Sequence, residues 1–314
     1  MFVLKPGGIM RLTTQPAAAG FTMGRFVFAL SFLSVVATAV IGWKGLGFYR
    51  TEFPDVSALK NSFPKVTYLG KDRPPKVTLQ KTRPPGWVNL ADVSREALGA
   101  VIVSEDWAFY SHKGYDPNQI KEAIKEDWEE GTFARGASTI TQQVVRNVFL
   151  DKDKNLWRKI KELILAIQAE RSVGKRKILE SYFNIAEWGE GVFGMRAAAL
   201  FYFKKSPAEL TAHEGAFLAM LLPSPKRYSQ SYRRGKLTAY ARSTVNDILD
   251  KMVQAHYIDE DRRDSEKSAR FAFEKLDTVD PLAPPPEPEG EGTDQDAAAT
   301  AATPPSDDAK PDGA

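Results

Sequence analysis

The chain has 314 residues, of which 43% are hydrophobic and 11% aromatic, so it can build at least one sizeable core and cannot be disordered throughout. It contains no cysteine, which excludes a disulfide framework, a thiolate metal site and a cysteine nucleophile. The net charge of +3 is unevenly distributed: residues 277–314 carry −9 and residues 1–276 carry +12, which favours an anionic partner for the basic part.

An uncharged apolar segment lies close to the N-terminus. From Phe26 to Trp43 no residue is charged over 18 positions, close to the ~20 residues that span a bilayer core. Three basic residues precede this segment: Lys5, Arg11 and Arg25. The pattern predicts a cytoplasmic segment over 1–25 and a transmembrane anchor over 26–46, with the rest of the chain outside the cytoplasm. A cleaved signal peptide is the alternative, because Ala37-Thr38-Ala39 resembles a small-residue cleavage site.

A change from linker to helix follows the anchor. Residues 47–84 are rich in Pro, Lys and Thr, with Arg-Pro-Pro occurring twice, and they predict an extended linker. From Asp92 the pattern becomes helical, with Ser94 as a predicted N-cap. The apolar residues Leu98, Val101 and Ile102 then fall on one helical face.

Glu105 continues the buried face of that helix three positions later, in the stretch SEDWAFYSH. A carboxylate on a buried face loses solvation, which raises its pKa and suits it to proton transfer near neutral pH. The alternative is that Glu105 lies just beyond the core and pairs with a Lys or His side chain.

The stretch Arg135–Gln143, RGASTITQQ, combines small residues with hydroxyls and amides. Small residues allow the backbone to approach a ligand closely, and the polar side chains offer several hydrogen-bond donors and acceptors. Since Ser and Thr also cap helices and turns, the stretch alone only suggests a binding site.

The stretch Lys152–Glu162, KDKNLWRKIKE, leads into an amphipathic helix. Arg158 and Lys159 lie four and three residues before Glu162, which indicates ion pairs on the helix, and a solvated salt-bridged face is the alternative to a site. The predicted apolar face of this helix consists of Leu156, Ile160, Leu163, Ile164 and Ile167.

Helices also dominate the rest of the folded part. A packed helical stretch is predicted from about Arg176, and a third apolar helix over Leu210–Leu222 ends before Pro223. Residues 251–276 are predicted to form a C-terminal helical extension. Residues 277–314, rich in Pro, Ala and acidic side chains, cannot bury enough apolar surface and are predicted to be a disordered tail.

Taken together, these stretches resemble one family, the peptidoglycan glycosyltransferases, which are lysozyme-like membrane-bound enzymes that polymerise lipid II. Four family motifs occur in order over roughly residues 85–230, within a predicted glycosyltransferase domain over 85–250. The motifs are EDWAFYSHKG (105–114), GASTITQQ (136–143), RKIKE (158–162) and KILESYFN (177–184). The sequence EWG at 187–189 is most similar to the monofunctional branch. Ala137 stands where many members have a second glycine, a change between small residues.

The resemblance implies roles for particular residues. Glu105 matches the family's catalytic base, which deprotonates the 4-hydroxyl of the acceptor sugar, and Glu162 matches a second catalytic acid residue that assists departure of the diphosphate directly or through a metal. Asp106, Phe109 and His112 match the residues that hold the base in place. The other residues that the resemblance assigns to substrate binding are Ser138, Thr139, Gln142, Gln143, Arg146, Lys154, Arg158 and Lys159.

The resemblance also implies a mainly α, lysozyme-like domain behind a single N-terminal transmembrane helix. It implies an inverting polymerase on the periplasmic side of the bacterial inner membrane, with Mg²⁺ or Mn²⁺ as cofactor because hard cations suit diphosphates. The expected partners are lipid II, the growing glycan strand, the inner membrane and other cell-wall synthesis proteins, with no nucleic acid among them.

Three alternative functions would require different residues. A lysozyme-like peptidoglycan-cleaving enzyme also uses a glutamate at a helix end but has no need for STITQQ beside cations. A non-enzymatic membrane scaffold would not need Glu105 at all. A bifunctional synthase would need a serine site, and although Ser172-Val173-Gly174-Lys175 has S-x-x-K spacing, no K-T-G follows.

Overall fold

The computed structural model describes residues 19–118, 121, 138–151 and 155–275, and in these ranges the protein is mainly α-helical, as predicted. The helices are α1 Ala19–Glu52, α2 Arg95–Glu105, α3 Ile140–Phe149, α4 Leu156–Ser172, α5 Lys175–Ile185, α6 Met195–Phe203, α7 Ala212–Leu221, α8 Pro225–Tyr228, α9 Gln230–Arg234, α10 Ala239–Gln254 and α11 Glu260–Ser268. Two antiparallel hairpins accompany them: β1 Phe63–Thr67 with β2 Lys76–Gln80, and β3 Glu187–Gly189 with β4 Val192–Phe193.

The core is built around α7, which is buried along almost its whole length. Thr211 caps this helix by accepting from the backbone of Glu214, whose side chain in turn accepts from the backbone N–H of Thr211. Helices α2 and α10 pack against it. The crossing with α2 is close enough that a Cβ on Gly215 would collide with the backbone of Ala97, so a larger residue there would push α2 away. Since α2 carries Glu105, the core fixes the position of that residue.

Helix α1 differs from the core helices in being exposed along its length. Within the described residues it is the one helix long and apolar enough to cross a membrane, with a mean hydropathy of 2.2 and none of its apolar window buried. A helix of 34 residues that is exposed and apolar would be unstable in water, so membrane anchoring is its natural role. The helix is continuous through Ala37–Ala39, and cleavage at that point stays an alternative.

The expected linker over 47–84 is more ordered than its composition predicts. It holds the end of α1, a 3-10 helix over Val56–Asn61 and the β1–β2 hairpin. Val56 and Leu59 are buried in the core, and β1 packs against α5. Proline-rich stretches do suit edge strands, and here tertiary burial of a few apolar side chains orders the segment.

The face of α4 that is buried in the structure is not the apolar face that its periodicity predicts. The buried residues of α4 are Glu162, Leu165, Ala166 and Ala169, whereas the predicted face is only partly buried or exposed. Leu156 is 78% exposed and Ile160 is 41% exposed. Helix α4 therefore turns a narrow face of one leucine, two alanines and one carboxylate to the protein interior.

The C-terminal extension consists of the end of α10, α11 and a short segment that packs on α7. The ring of Phe271 stacks on His213, and the backbone N–H of His213 donates to the buried side chain of Glu266. The predicted helix from Arg176 is interrupted by the β3–β4 hairpin, so that it becomes α5 and α6. The predicted disordered tail lies outside the described residues.

Candidate active site

Glu105 is the last residue of α2, where it stands at the end of a buried helical face. Ser94 caps the helix by accepting from the backbone N–H of Ala97, as its sequence predicts. Val101 and Ile102 are buried on the face that leads to Glu105. Asp106 departs from helical geometry, which ends α2 and leaves the side chain of Glu105 partly accessible.

The carboxylate of Glu105 lies in an environment that favours its protonated form and yet offers it hydrogen bonds. Burial raises its pKa above the ordinary value, and this is the largest influence. Opposing that effect, Gln143 Nε2 donates to Glu105 Oε2 at 2.8 Å, and the hydroxyl of Tyr182 donates to the same oxygen at 3.4 Å. The charge of Arg146 also lowers the pKa of Glu105. The result is a carboxylate suited to accept a proton near neutral pH.

A buried frame holds the chain that follows Glu105. His112 Nε2 lies 2.9 Å from both carboxylate oxygens of Asp106, and Asp106 also accepts from the backbone N–H of Ile140 at 2.9 Å. His112 Nδ1 accepts from the backbone N–H of Gly114, which assigns the ring proton to Nε2. Phe109 is fully buried with its ring edge-on to His112. This frame joins the end of α2 to the start of α3.

The polar residues at the start of α3 form a capping box. Thr139 accepts from the backbone N–H of Gln142, and the side chain of Gln142 accepts from the backbone N–H of Thr139. The hydroxyl of Thr139 also donates to the carbonyl oxygen of Gly114. Both side chains are buried, with Thr139 0% and Gln142 2% exposed. Their geometry is that of residues that position α3, and the substrate contacts predicted for them stay predictions.

Glu162 is a second carboxylate, fully buried and surrounded by cations. Lys159 Nζ lies 2.7 Å from Oε1, and Arg158 lies 3.3 Å from Oε2. Arg146 reaches from α3 to within 3.9 Å of Oε1. Lys159 also donates to the hydroxyl of Ser138 at 2.9 Å. Three cations for one carboxylate leave an excess of positive charge, which is the arrangement expected to bind a diphosphate.

Arg146 connects the two carboxylates. It lies within ion-pair distance of Glu162, and its charge acts on Glu105 at the same time. Arg146 and Gln143 are three residues apart on α3, so they project from the same helical face. The structure therefore brings together Glu105, Gln143, Arg146 and the Glu162 cluster. Lys154, predicted for the same cluster, lies outside the described residues.

Tyr182 is a residue of this site that the sequence did not single out. Its hydroxyl lies 3.4 Å from Oε2 of Glu105 and 3.4 Å from Oε1 of Gln143. Burial raises the pKa of Tyr182, so it remains a neutral donor. The residue stands in the motif KILESYFN, and its place in that motif was the available signal.

Ser172 and Lys175, which have S-x-x-K spacing, are not arranged as a serine nucleophile and its base. Lys175 pairs with Glu170 at 2.6 Å and lies 4.4 Å from the centroid of the Phe109 ring. The hydroxyl of Ser172 donates instead to the backbone carbonyl of Gln168. Lys175 therefore supports the buried frame, in line with the sequence argument against a bifunctional synthase.

The residues around Glu162 do not fit a directly bound metal ion. Both of its oxygens already accept from cationic side chains, and a divalent cation would add to an existing excess of positive charge. No cluster of three or more His, Asp or Glu side chains suited to a metal occurs in the described parts of the chain. The Mg²⁺ or Mn²⁺ expected from the resemblance stays a prediction without a ligand set here.

Comparison with known proteins adds to this geometry. A family model described as Transglycosylase matches residues 75–253, more than half of the chain. A protein of Paraburkholderia xenovorans named biosynthetic peptidoglycan transglycosylase is 42% identical over 159 residues, which are 51% of this chain and 65% of that protein. Proteins with the same name from Methylobacillus flagellatus and Aromatoleum aromaticum are 39% and 38% identical, over 46% and 54% of this chain and 63% and 71% of their own lengths. The chain thus spans slightly under two thirds of the first two relatives that it matches.

Proposed function

Since this chain belongs to the transglycosylase family, we propose that it polymerises lipid II into β-1,4-linked glycan strands and releases polyprenyl diphosphate. The family has a lysozyme-like helical fold, in agreement with the mainly α-helical structure. The observation that carries the proposal is the arrangement of a half-buried, hydrogen-bonded carboxylate at Glu105 beside the cation-rich cluster at Glu162, with Arg146 between them.

In the proposed reaction Glu105 accepts the proton of the acceptor's 4-hydroxyl while that oxygen attacks the anomeric carbon of the donor. The bond from that carbon to the diphosphate oxygen breaks, and the negative charge that develops on the diphosphate is stabilised by Arg146, Arg158 and Lys159. Attack opposite the leaving group converts an α-linked donor into a β-linked product without a covalent intermediate.

Glu162 has a supporting part in this proposal. Its carboxylate fixes the three cations at one place, because each of them lies within 4 Å of its oxygens. The positive charge of the three cations exceeds the single negative charge of Glu162, so the cluster keeps a net attraction for an incoming oxygen anion. These contacts support departure of the diphosphate directly, by preorganised positive charge.

The location that we propose is the bacterial inner membrane, with the catalytic domain in the periplasm. The exposed apolar helix α1 and the basic residues before it support this orientation. The donor's polyprenyl tail remains in the membrane, so an anchored enzyme works at a high effective substrate concentration. The growing glycan strand is the other partner, together with other proteins of cell-wall synthesis.

The test is polymerisation of lipid II by the purified full-length protein, with Glu105→Gln as the inactive control. Formation of glycan strands with loss of lipid II is the expected result. Release of soluble muropeptides from cell-wall sacculi, without polymer from lipid II, would instead identify a peptidoglycan-cleaving enzyme. Equal activity of the wild type and Glu105→Gln would remove Glu105 from the mechanism.

A further inference from the structure

The turn between α4 and α5 contains the S-x-x-K spacing, which has no part in the proposed reaction. Gly174 has a φ of +87°, a backbone conformation that residues with a side chain rarely adopt, and it lets α5 begin soon after α4 ends. Lys175 is the first residue of α5. Its side chain turns back to α4, where Nζ lies 2.6 Å from Oε1 of Glu170. The glycine and the lysine therefore join the two helices at their common end.

The ion pair of Lys175 and Glu170 is largely withdrawn from solvent. The side chain of Glu170 is 6% exposed and that of Lys175 is 22% exposed. A carboxylate in such a place needs a cation, because an unpaired buried charge is costly. The ammonium of Lys175 also lies 4.4 Å from the centroid of the Phe109 ring and 3.5 Å from Nδ1 of His112. Lys175 is thus held from several sides.

Glu170 extends the connection to a third helix. The hydroxyl of Thr141 donates to Oε1 of Glu170, the same oxygen that pairs with Lys175. Thr141 is fully buried in the first turn of α3, two residues before Gln143. One carboxylate oxygen therefore links α3, α4 and α5.

The two hydrogen-bond donors of Glu105 belong to two of these helices. Gln143 on α3 and Tyr182 on α5 both donate to Oε2 of Glu105, at 2.8 Å and 3.4 Å. The longer of these bonds is close to the limit for a hydrogen bond, so a small increase in the distance would break it. Helices α3 and α5 pack against each other, and their separation decides whether both donors reach one oxygen.

We propose that Lys175 is a positioning residue: its ion pair with Glu170 sets the separation of α3 and α5 and thereby places both donors on Glu105. The inference rests on the proposed function, in which Glu105 is the base. It gives the S-x-x-K spacing a use in glycosyl transfer without a serine nucleophile. It also distinguishes Lys175 from the cations of the Glu162 cluster, which bind the diphosphate in the proposed reaction.

The groups that act directly on Glu105 come from three elements. Burial raises the pKa of Glu105 most. The amide on α3, the hydroxyl of Tyr182 on α5 and the charge of Arg146 on α3 lower this pKa, and the charge of Asp106 after α2 raises it. Within the described parts of the chain Lys175 has no hydrogen bond or ion pair with Glu105, so its loss reaches the base through the helices that it joins.

Lys175→Met keeps the approximate length of the side chain and removes its charge. Glu170 is then an unpaired buried carboxylate, and the helices around it shift to give it water. As the bonds to Glu105 lengthen, its pKa should rise by about 0.5 to 1 unit, the range expected when a hydrogen bond to a charged group is weakened or lost.

The ionisation of Glu105 can be measured without substrate. In each background the free energy of unfolding is compared with that of its Glu105→Gln partner from about pH 4 to 9. Since burial raises the folded-state pKa, the disadvantage of glutamate is absent at acidic pH, grows above about pH 4.5 and levels off at that pKa. In Lys175→Met the difference should level off at a pH about 0.5 to 1 unit higher. An unmoved plateau overturns the proposal.

A double variant separates positioning from stability. In Lys175→Met combined with Glu170→Gln, the amide still accepts from Thr141 and carries no charge, so most of the lost free energy of unfolding should return. The ion pair between α4 and α5 stays absent, so the plateau should remain at the higher pH. Its return to the wild-type pH together with stability would show that the pair serves stability alone and would overturn the proposal. This variant also decides the matter if Lys175→Met alone does not fold.

The matched control is Lys205→Met, which breaks another partly buried ion pair, between Lys205 and Glu214 at 2.8 Å. That pair joins the end of α6 to the start of α7, so its loss should lower stability without moving the plateau. An equal movement of the plateau in Lys205→Met would contradict a specific role of Lys175.

Polymerisation of lipid II connects the plateau to function. The acidic limb of kcat/KM against pH should move to higher pH in Lys175→Met and stay in place in Lys205→Met. A wild type that does not polymerise lipid II would refute the proposed function, while the plateau measurement would still decide the role of Lys175. A moved plateau with an unmoved limb would show that Lys175 does not act on the reaction and would overturn the proposal.

Discussion

Replacing Gln143 by methionine tests whether the basicity of Glu105 depends on one hydrogen bond. Methionine keeps the approximate length of the side chain and loses the Nε2 donor, which lies 2.8 Å from Oε2 of Glu105. A hydrogen bond to a charged group contributes about 1.5–3 kcal/mol and one to a neutral group about 0.5–1.5 kcal/mol, so this bond stabilises the ionised carboxylate by about 1–1.5 kcal/mol more than the protonated one. Its loss should make the ionised fraction ~5- to 13-fold smaller wherever the protonated form predominates.

The direction of the effect on pH dependence follows from the same contact. Burial raises the pKa of Glu105 and the bond from Gln143 lowers it, so its loss raises the pKa further. Because the base must be ionised, the acidic limb of the plot of kcat/KM against pH should move to higher pH. Polymerisation rates from about pH 5 to 9 measure the limb, and the rate of the variant should recover towards that of the wild type at the alkaline end.

Gln142→Met is the matched control, one residue away. It removes half of the capping box with Thr139 and should lower the free energy of unfolding by about 1 kcal/mol. It should leave the acidic limb in place, because Gln142 has no hydrogen bond to Glu105. An unmoved limb in Gln143→Met, or an equal movement in both variants, would refute the reasoning.

Four further variants have separate readouts. Glu105→Gln should lower turnover ~10²–10⁴-fold, with binding of a lipid II analogue retained. It should also raise the melting temperature at pH 8, because the wild type carries a charge there that burial disfavours. This difference in melting temperature should vanish at acidic pH, where Glu105 is protonated. Arg146→Ala should weaken binding of a diphosphate-bearing analogue. Glu162→Gln should lower turnover to an extent independent of Mg²⁺ concentration. A defect that depends on Mg²⁺ would instead show that Glu162 acts through a metal ion. Burial lowers the pKa of His213 to about 4, so the wild type should lose stability as pH falls from ~6.5 towards 4, and denaturant unfolding should show a smaller loss for His213→Phe.

The part of the site that local sequence determines was predictable. Ser94 and the apolar spacing after it place Glu105 at the end of a buried helical face, and the structure has this arrangement. The pairs of Arg158 and Lys159 with Glu162 follow from helical spacing alone. Both predictions need only the geometry of a single helix.

The sequence could not show which distant elements contact each other or how far an apolar helical face is covered. Tyr182 reaches Glu105 across 77 residues, and helical periodicity gives no such distance. Periodicity likewise identifies the predicted apolar face of α4 but not how much of it the protein interior covers, since the spacing is the same for a buried and an exposed face. The T-x-x-Q spacing of Thr139 and Gln142 is the pattern of a capping box, which the structure contains. The same polar residues also suit a binding site, so the pattern alone did not distinguish the two roles.

The bonds between Asp106 and Ile140 and between Thr139 and Gly114 have a consequence for how this domain tolerates change. They join the two ends of the chain segment between Gly114 and Thr139 directly, and Asp106 is the residue next to Glu105. The two bonds therefore keep Glu105 and its partner Gln143 at a fixed spacing, independently of the chain that connects Gly114 to Thr139.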